Sequence, residues 1–400
     1  MKTFLTFFVL CAVPLFSQET SAQSEFEKFK KEQQAGIQAE ADSFKQYKAE
    51  VTKEYDNWVA EQERLFKEYV SQIEKVWGTK NTKTSTQKEY VAYDNNFSSR
   101  KSVDFEKGNA KVEVVVTESE AKNLTAMQEK LKEQVAELVT TKGGTDPLEK
   151  KTGSEAEKQP ILENQVTAKD GKPVTEKNAK QFAEQTVTPA QITQEQIIGK
   201  DGVKRVVIGV QFALVPNHLK KRAEEFRSKV LSETDKNNID ATLVFAVMHT
   251  ESYFNPKARS TAPAFGLMQL VPKSGARDAY LFVHREDKLV TAEYLYIPEN
   301  NIELGAGYLT KLLTIDFKGV KDPKSRIYCA ISAYNTGPGN VAKAFTKDKR
   351  SVPQALPKIN AMTSDEVLKY LKENLPFEET RKYVGTVSER MGLYNEWTKN

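Results

Sequence analysis

Apolar residues recur every seven positions at Ile37, Phe44, Val51, Trp58 and Leu65, and a second row holds Tyr47, Tyr55, Tyr69 and Val76. Charged residues fill the faces between them. A seven-residue apolar repeat among charges predicts one long amphipathic, coiled-coil-like helix from Ser24 to Trp77. Two roles fit such a helix: packing on the rest of the molecule, and self-association or contact with another protein.

After Gly78 the period changes. Apolar and polar residues alternate over Gln87 to Tyr93, Arg100 to Phe105 and Lys111 to Thr117, as in half-buried strands. Asn95-Asn96 and Lys107-Gly108-Asn109 supply turns. Glu118 to Thr141 returns to helical spacing, with Leu124, Met127, Leu131, Val135 and Leu138 on one face. The stretch Thr141 to Glu157 is polar and rich in Lys, Gly and Glu, which predicts a loop. A hairpin is expected around Asp170-Gly171, joining Ile161 to Val166 with Pro173-Val174, and a short helix over Glu176 to Thr186. A second hairpin is expected around Lys200-Asp201-Gly202, from Ile197-Ile198 to the strand Arg205 to Val215. Residues 79–215 thus read as a mixed α/β domain with a curved antiparallel sheet. Pro216-Asn217-His218 marks a boundary. Beyond it, over residues 216–400, the pattern is helical, with helices expected at Leu219 to Ser232, Leu267 to Tyr280, Pro298 onward, Pro323 to Tyr334, Val341 to Phe345, Ser364 to Leu375 and Glu378 to Met391. Leu281 to Tyr296 reads as a charged insertion or loop. The whole is an α+β multidomain chain ending in an all-α bundle.

The chain has 400 residues, 39% of them hydrophobic, enough for two or three packed domains. A net charge of +4 is small for that length and gives no nucleic-acid footprint. Lys2 and the apolar run Phe4 to Phe16 are too short to span a bilayer and fit a signal-peptide core, with Thr20-Ser21-Ala22 as a small-residue cleavage site. Residues 1–22 are therefore expected to be a signal peptide, and residues 23–78 the helical arm. Cys11 has two readings, a passive member of the apolar run and a lipid-acceptor cysteine. The second of the chain's 2 cysteines, Cys329, sits in an apolar helix and reads as a small core residue, so cleavage leaves no internal disulfide. His249 and Glu251 form an H-x-E pair, but no P-C-x-x-C follows, so no metal site and no cofactor are expected.

The stretch Asp240 to Gln269 carries the chemistry. Asp240 is a good N-cap, and Leu243 to Met248 is an unbroken apolar run, which predicts a helix buried on all sides. Glu251 stands at its far end. The helix dipole repels a carboxylate there and apolar neighbours disfavour its ionisation, so both raise its pKa toward the range of a general acid. Phe265-Gly266-Leu267-Met268-Gln269-Leu270 then opens the next helix, and Ala333-Tyr334-Asn335 precedes the turn Thr336-Gly337-Pro338-Gly339.

These three blocks, a Glu-Ser pair, a Gly-Leu-Met-Gln block and an Ala-Tyr-Asn block in that order, resemble the lytic transglycosylases of the goose-lysozyme-like superfamily. Trp77-Gly78, Val215-Pro216-Asn217-His218-Leu219 and Glu379-Thr380-Arg381-Lys382-Tyr383 resemble the membrane-bound branch of that family, in which a mixed α/β domain precedes the catalytic one. The resemblance implies a lysozyme-like catalytic domain over 216–400 acting on peptidoglycan glycan strands. It implies that Glu251 protonates the oxygen between muramic acid and glucosamine, then accepts the proton of the muramic acid C6 hydroxyl, leaving a 1,6-anhydromuramic end without hydrolysis. It places the protein in the periplasm or cell envelope, anchored to the outer membrane if Cys11 is lipidated, with an envelope protein as one partner for the helical arm.

Around Glu251, Ser252 reads equally as a helix cap and as a sugar ligand. Gly266 permits close backbone approach to a sugar, Met268 lines an apolar groove, and Gln269 bonds an acetamido group or positions Glu251. Tyr334 and Asn335 offer polar groups to the reacting sugar, and Tyr383 holds Glu251 or the charge of the transition state. Asp278, Glu286 and Asp287 lie in a charged stretch and read as solvated, so no second carboxylate is framed beside Glu251. A hydrolytic muramidase of the same fold and a non-catalytic peptidoglycan-binding protein are the rival readings.

Overall fold

The structure is a computed structural model that describes residues 16–142, 160–260 and 263–397. The core of the expected signal peptide, Cys11 and most of the polar stretch after Thr141 lie outside the described residues. The chain divides between Glu61 and Gln62 into two compact units, and the helix α1, Phe16–Trp77, runs through the division. This helix begins ahead of the expected Ser24. In the first unit it exposes Phe26, Phe29 and Ile37.

The second unit opens with a five-stranded sheet. Its strands are β1 (Glu89–Tyr93), β2 (Ser99–Asp104), β3 (Asn109–Val116), β4 (Thr193–Ile198) and β5 (Lys204–Ala213), in the spatial order β1-β2-β3-β5-β4. Every neighbouring pair is antiparallel, with Val112 opposite Val210 and Val114 opposite Ile208. Side chains alternate between the faces. Ala110, Val112, Val114, Ile208 and Val210 share one face with Met127, Leu131, Val135 and Leu138 of α2 (Leu124–Thr140) and Phe182 of α3 (Ala179–Thr186). Fully burying such a side chain contributes about 1.5–3 kcal/mol. Val91, Tyr93, Val115 and Val207 face the other way, onto Tyr69, Ile73 and Trp77 in the last turns of α1. On that face Arg100 stacks 4.1 Å from the Trp77 ring and pairs with buried Glu113 at 2.6 Å. The expected hairpin at Asp170-Gly171 is reduced to one bridge, Thr167 to Pro173. Proline has no N–H to extend a ladder.

The rest of this unit is helical: α4 (His218–Asn237), α5 (Ala241–Ser252), α6 (Arg277–His284), α7 (Ala292–Leu295), α8 (Pro298–Lys311), α9 (Pro323–Thr336), α10 (Pro338–Thr346), α11 (Val352–Asn360), α12 (Ser364–Asn374) and α13 (Glu378–Met391). Asp240 caps α5 by accepting from Thr242 N at 2.8 Å, and the run Leu243 to Met248 is fully buried. Three expectations are corrected. Phe265–Leu270 does not open a helix, because Gly266 (φ 77°) and Gln269 (φ 47°) are left-handed; the chain makes a tight turn closed by a Phe265–Leu270 bridge. Regular α-helix resumes at Arg277, after a π-helical turn at Pro272–Ala276. The charged stretch 281–296 is not a plain loop, since it holds the end of α6 and all of α7. Helix α11 was not expected; Pro353 sits in its first turn, where no N–H is needed, and Pro357 lies inside it.

The sheet and the bundle are pinned together around α4. His218 Nε2 lies 2.8 Å from Phe105 O. Arg222, 2% exposed, donates to Ile161 O at 3.1 Å and Phe254 O at 2.6 Å, and stacks 3.8 Å from the Phe105 ring.

Candidate active site

Glu251 occupies the last turn of α5, one residue before the helix ends. It is buried, and the hydroxyl of Tyr383, from α13, donates to its Oε1 at 2.7 Å. Burial pushes the carboxyl up to about 8; the Tyr383 hydrogen bond favours the anion and offsets part of this, while the charge of Glu379 adds to the rise. Desolvation outweighs one hydrogen bond here, so the group is a neutral acid at pH 7. Tyr383 and Tyr334 are themselves held far above the ordinary phenol value, first by burial and next by the neighbouring Glu251. Both remain donors.

Glu251 opens on a cavity of about 590 Å³ whose wall includes Gln269, Tyr308, Tyr334, Asn335 and Glu379. Asn335 accepts from Thr380 Oγ1 at 2.6 Å. Tyr334 donates to Met268 O at 2.8 Å, and its ring lies 5.5 Å from that of Tyr308. Gln269 donates to Ala258 O and Gly266 O, each at 2.9 Å, while its buried Oε1 has no partner among the described residues. A buried acceptor left without a donor is costly and is commonly matched by a ligand or water.

Three of the residues expected to meet substrate stand behind the wall instead. Ser252 is fully buried and donates to Met248 O at 3.0 Å and Leu267 O at 2.7 Å, so it ties α5 to the following turn. Gly266 makes its close approach to protein, because a Cβ there would collide with Leu295 O and the Asn301 amide. Met268 is fully buried, with its side chain against Gly305 of α8. Asn301, which the sequence reading passed over, organises this turn. It accepts from Met268 N at 2.7 Å and donates to Phe265 O at 2.9 Å and Leu295 O at 2.8 Å. A polar residue among Ile302, Leu304 and Leu309 on a buried helix was the available signal.

Glu379 is a correction of another kind. No second carboxylate was expected beside Glu251, yet Glu379 lies on the same cavity wall, on exposed surface. It stood in the quoted Glu379-Thr380-Arg381-Lys382-Tyr383 block, of which only Tyr383 was singled out. His249 is tied into the helix packing: Nδ1 lies 2.9 Å from the Tyr394 hydroxyl, and burial pushes the imidazole down to about 3. Cys329 is fully buried, and burial pushes its thiol up to about 12.

A model of the transglycosylase SLT domain matches residues 229–356, and one of the N-terminal domain of membrane-bound lytic murein transglycosylase C matches residues 48–225. The chain is 31% identical to a membrane-bound lytic murein transglycosylase C from Salmonella arizonae, over 82% of this chain and 88% of that protein. It is 32% identical to the protein of the same name from Klebsiella pneumoniae, again over 82% and 88%. Among solved structures, an inactive mutant of the lytic transglycosylase Slt from Pseudomonas aeruginosa matches with a TM-score of 0.33 and 29% identity, over 43% of this chain and 24% of that one.

Proposed function

The chain belongs to the membrane-bound lytic murein transglycosylase C family, and on that footing we propose that Glu251 alone carries its bond cleavage, first as acid and then as base. The protein is a lytic transglycosylase, an enzyme that cleaves peptidoglycan. The observation that carries the proposal is the buried Glu251 carboxyl, pushed up to about 8 and held by Tyr383 at 2.7 Å.

With Tyr383 on Oε1, the Oε2 hydroxyl is the proton donor for the glycosidic oxygen between muramic acid and glucosamine. The leaving group takes that proton and the C1–O bond breaks. The carboxylate so formed accepts the proton of the muramic acid C6 hydroxyl, whose oxygen bonds to C1. The 1,6-anhydromuramic end closes with no water consumed, and Glu251 is an acid again. Tyr383 follows the change, since its O–H···O bond strengthens when the carboxylate is charged. Gln269 Oε1 is the acceptor for an acetamido N–H. Asn335, its carbonyl oxygen taken by Thr380, supplies N–H donors, and Tyr334 a ring face beside the sugar. Ser252, Gly266 and Met268 serve by shaping the wall.

One observation favours a second reading. Glu379 shares the cavity, and as a base toward water it would make the enzyme a muramidase with reducing ends. Mass spectrometry of fragments released from purified sacculi decides between them. Anhydromuramic ends that vanish with Glu251→Gln are expected; reducing ends would replace the first reading with the second.

The domain layout that goes with this proposal is an arm over 23–78, an α/β domain over 79–215 and a catalytic domain over 216–400. The family's name puts its members at a membrane, and the cell envelope is the setting for a peptidoglycan-cleaving enzyme. Export by a signal peptide over 1–22, or in its place a lipid anchor at Cys11 with the chain retained from that residue on, and a partner for the arm complete the proposal.

A further inference from the structure

We infer that Glu106, Tyr253 and Arg390 form a positioning relay through which the sheet holds the last turn of α5, and with it Glu251, in working register. The inference rests on the reading of Glu251 as the reacting acid. The chain leaves α5 in an unusual way. Tyr253 (φ 51°) and Phe254 (φ 58°) are both left-handed, a conformation disfavoured for residues with a Cβ. Such backbone persists where its surroundings over-determine it, and here it begins two residues after Glu251.

What holds it is specific. The Tyr253 hydroxyl donates to Glu106 Oε1 at 2.7 Å, and Arg390 Nη2 donates to the Tyr253 oxygen at 2.9 Å. Arg390 Nη1 donates to His249 O at 3.0 Å and Thr250 Oγ1 at 3.1 Å, so one guanidinium grips α5 just before Glu251 and the turn just after it. A cation at a helix C-terminus also complements the dipole. Glu106, in the turn between β2 and β3, is joined by Lys88 Nζ at 2.7 Å. Those two hydrogen bonds, from Lys88 and then Tyr253, hold its carboxyl below the usual range, so it is an anion at neutral pH. The Tyr253 ring sits 5.2 Å from Lys88 Nζ and 5.0 Å from the Arg390 guanidinium carbon.

Arg390 follows Tyr383 by seven residues, two turns of α13, so both project from one face. Helix α13 therefore meets α5 at two points: Tyr383 on the Glu251 carboxyl and Arg390 on the backbone that sets where that carboxyl lies. None of the three relay residues lies on the cavity wall. They act through Glu251 and are positioning residues.

The test uses the full chain with soluble glycan strands of uniform length, measuring kcat and KM separately for Glu106→Gln, Tyr253→Phe, the double variant and Glu251→Gln. Each single relay variant is expected to lose about tenfold in kcat with KM within about twofold, and the double to lose no more than the worse single, since either cut opens the same chain. Glu106→Asp is expected to recover part of the loss. A kcat within about twofold of wild type for both singles, beside an inactive Glu251→Gln, would overturn the relay and leave the Glu251 reading standing. So would a lowered melting temperature with unchanged kcat. Wild-type activity in Glu251→Gln would take down the Glu251 reading and the relay with it. If Tyr253→Phe does not fold, Glu106→Gln decides alone, because its side chain is 45% exposed and the change is isosteric.

Discussion

The hydroxyl of Tyr383 and Oε1 of Glu251 lie 2.7 Å apart although 132 positions separate them in the chain. The bond favours the anion, whereas burial favours the neutral acid, and burial prevails. The proposed acid is the product of that opposition.

Activity is therefore expected to fall as pH rises through about 8, as Glu251 loses its proton in the free enzyme. Tyr383→Phe removes the interaction that favours the anion, so its basic limb should lie at higher pH than in wild type. Its kcat should drop by about 100- to 1,000-fold, the usual loss for one donor to a developing charge. Rates of fragment release from pH 5 to 10 check both. A basic limb displaced to lower pH in Tyr383→Phe would contradict the sign.

Stability should show the same group from the other side. The folded carboxyl, at about 8, lies above its ordinary value of 4.5, so between those values the folded state binds more protons than the unfolded one. Stability then declines as pH rises through that window, and the full penalty is present above about 8. Glu251→Gln cannot ionise. Its melting temperature should exceed wild type by more at pH 9 than at pH 5, measured by thermal unfolding at both.

The Gly266–Asn301 turn should be intolerant of change. Gly266→Ala puts a Cβ at φ 77° against Leu295 O and the Asn301 amide. Asn301→Ala strips three buried hydrogen bonds at once. Each should cost about 2–4 kcal/mol in denaturant titration and lower activity by displacing Gln269 and the Tyr334 anchor.

Arg222 offers a test remote from the cavity. Burial lowers its guanidinium to about 10, yet it still bridges Ile161 O and Phe254 O. Arg222→Lys keeps the charge but loses the fork and the stacking on Phe105. A loss of about 2–3 kcal/mol is expected, with Arg222→Met no better because it leaves the Phe254 carbonyl without its donor.

Much of this was legible one segment at a time. The alternation at Val112, Val114 and Val206, Ile208, Val210 foretold two strands; their pairing, with Val112 opposite Val210, and the burial of their other face under α1 came only with the tertiary structure. The apolar run before Glu251 foretold a helix with no exposed side and an acid at its end. What was misread were the blocks whose small and polar residues serve other protein groups. The left-handed angles of Gly266 and Gln269 broke an expected helix, and Ser252 and Met268 turned inward.

The sequence by itself determined most of the elements, the family and the choice of Glu251 as the proposed acid, because periodicity, caps and short motifs are local properties of the chain. Tyr383 was already expected against Glu251 from the resemblance, at the level of a residue and not an atom; tertiary structure alone decided that Glu379 stands on the cavity wall and Arg390 on the helix end. The physical reason is that desolvation and hydrogen bonding depend on which surfaces close over a group. Those surfaces come from helices far apart in the chain, whose order says nothing of their approach.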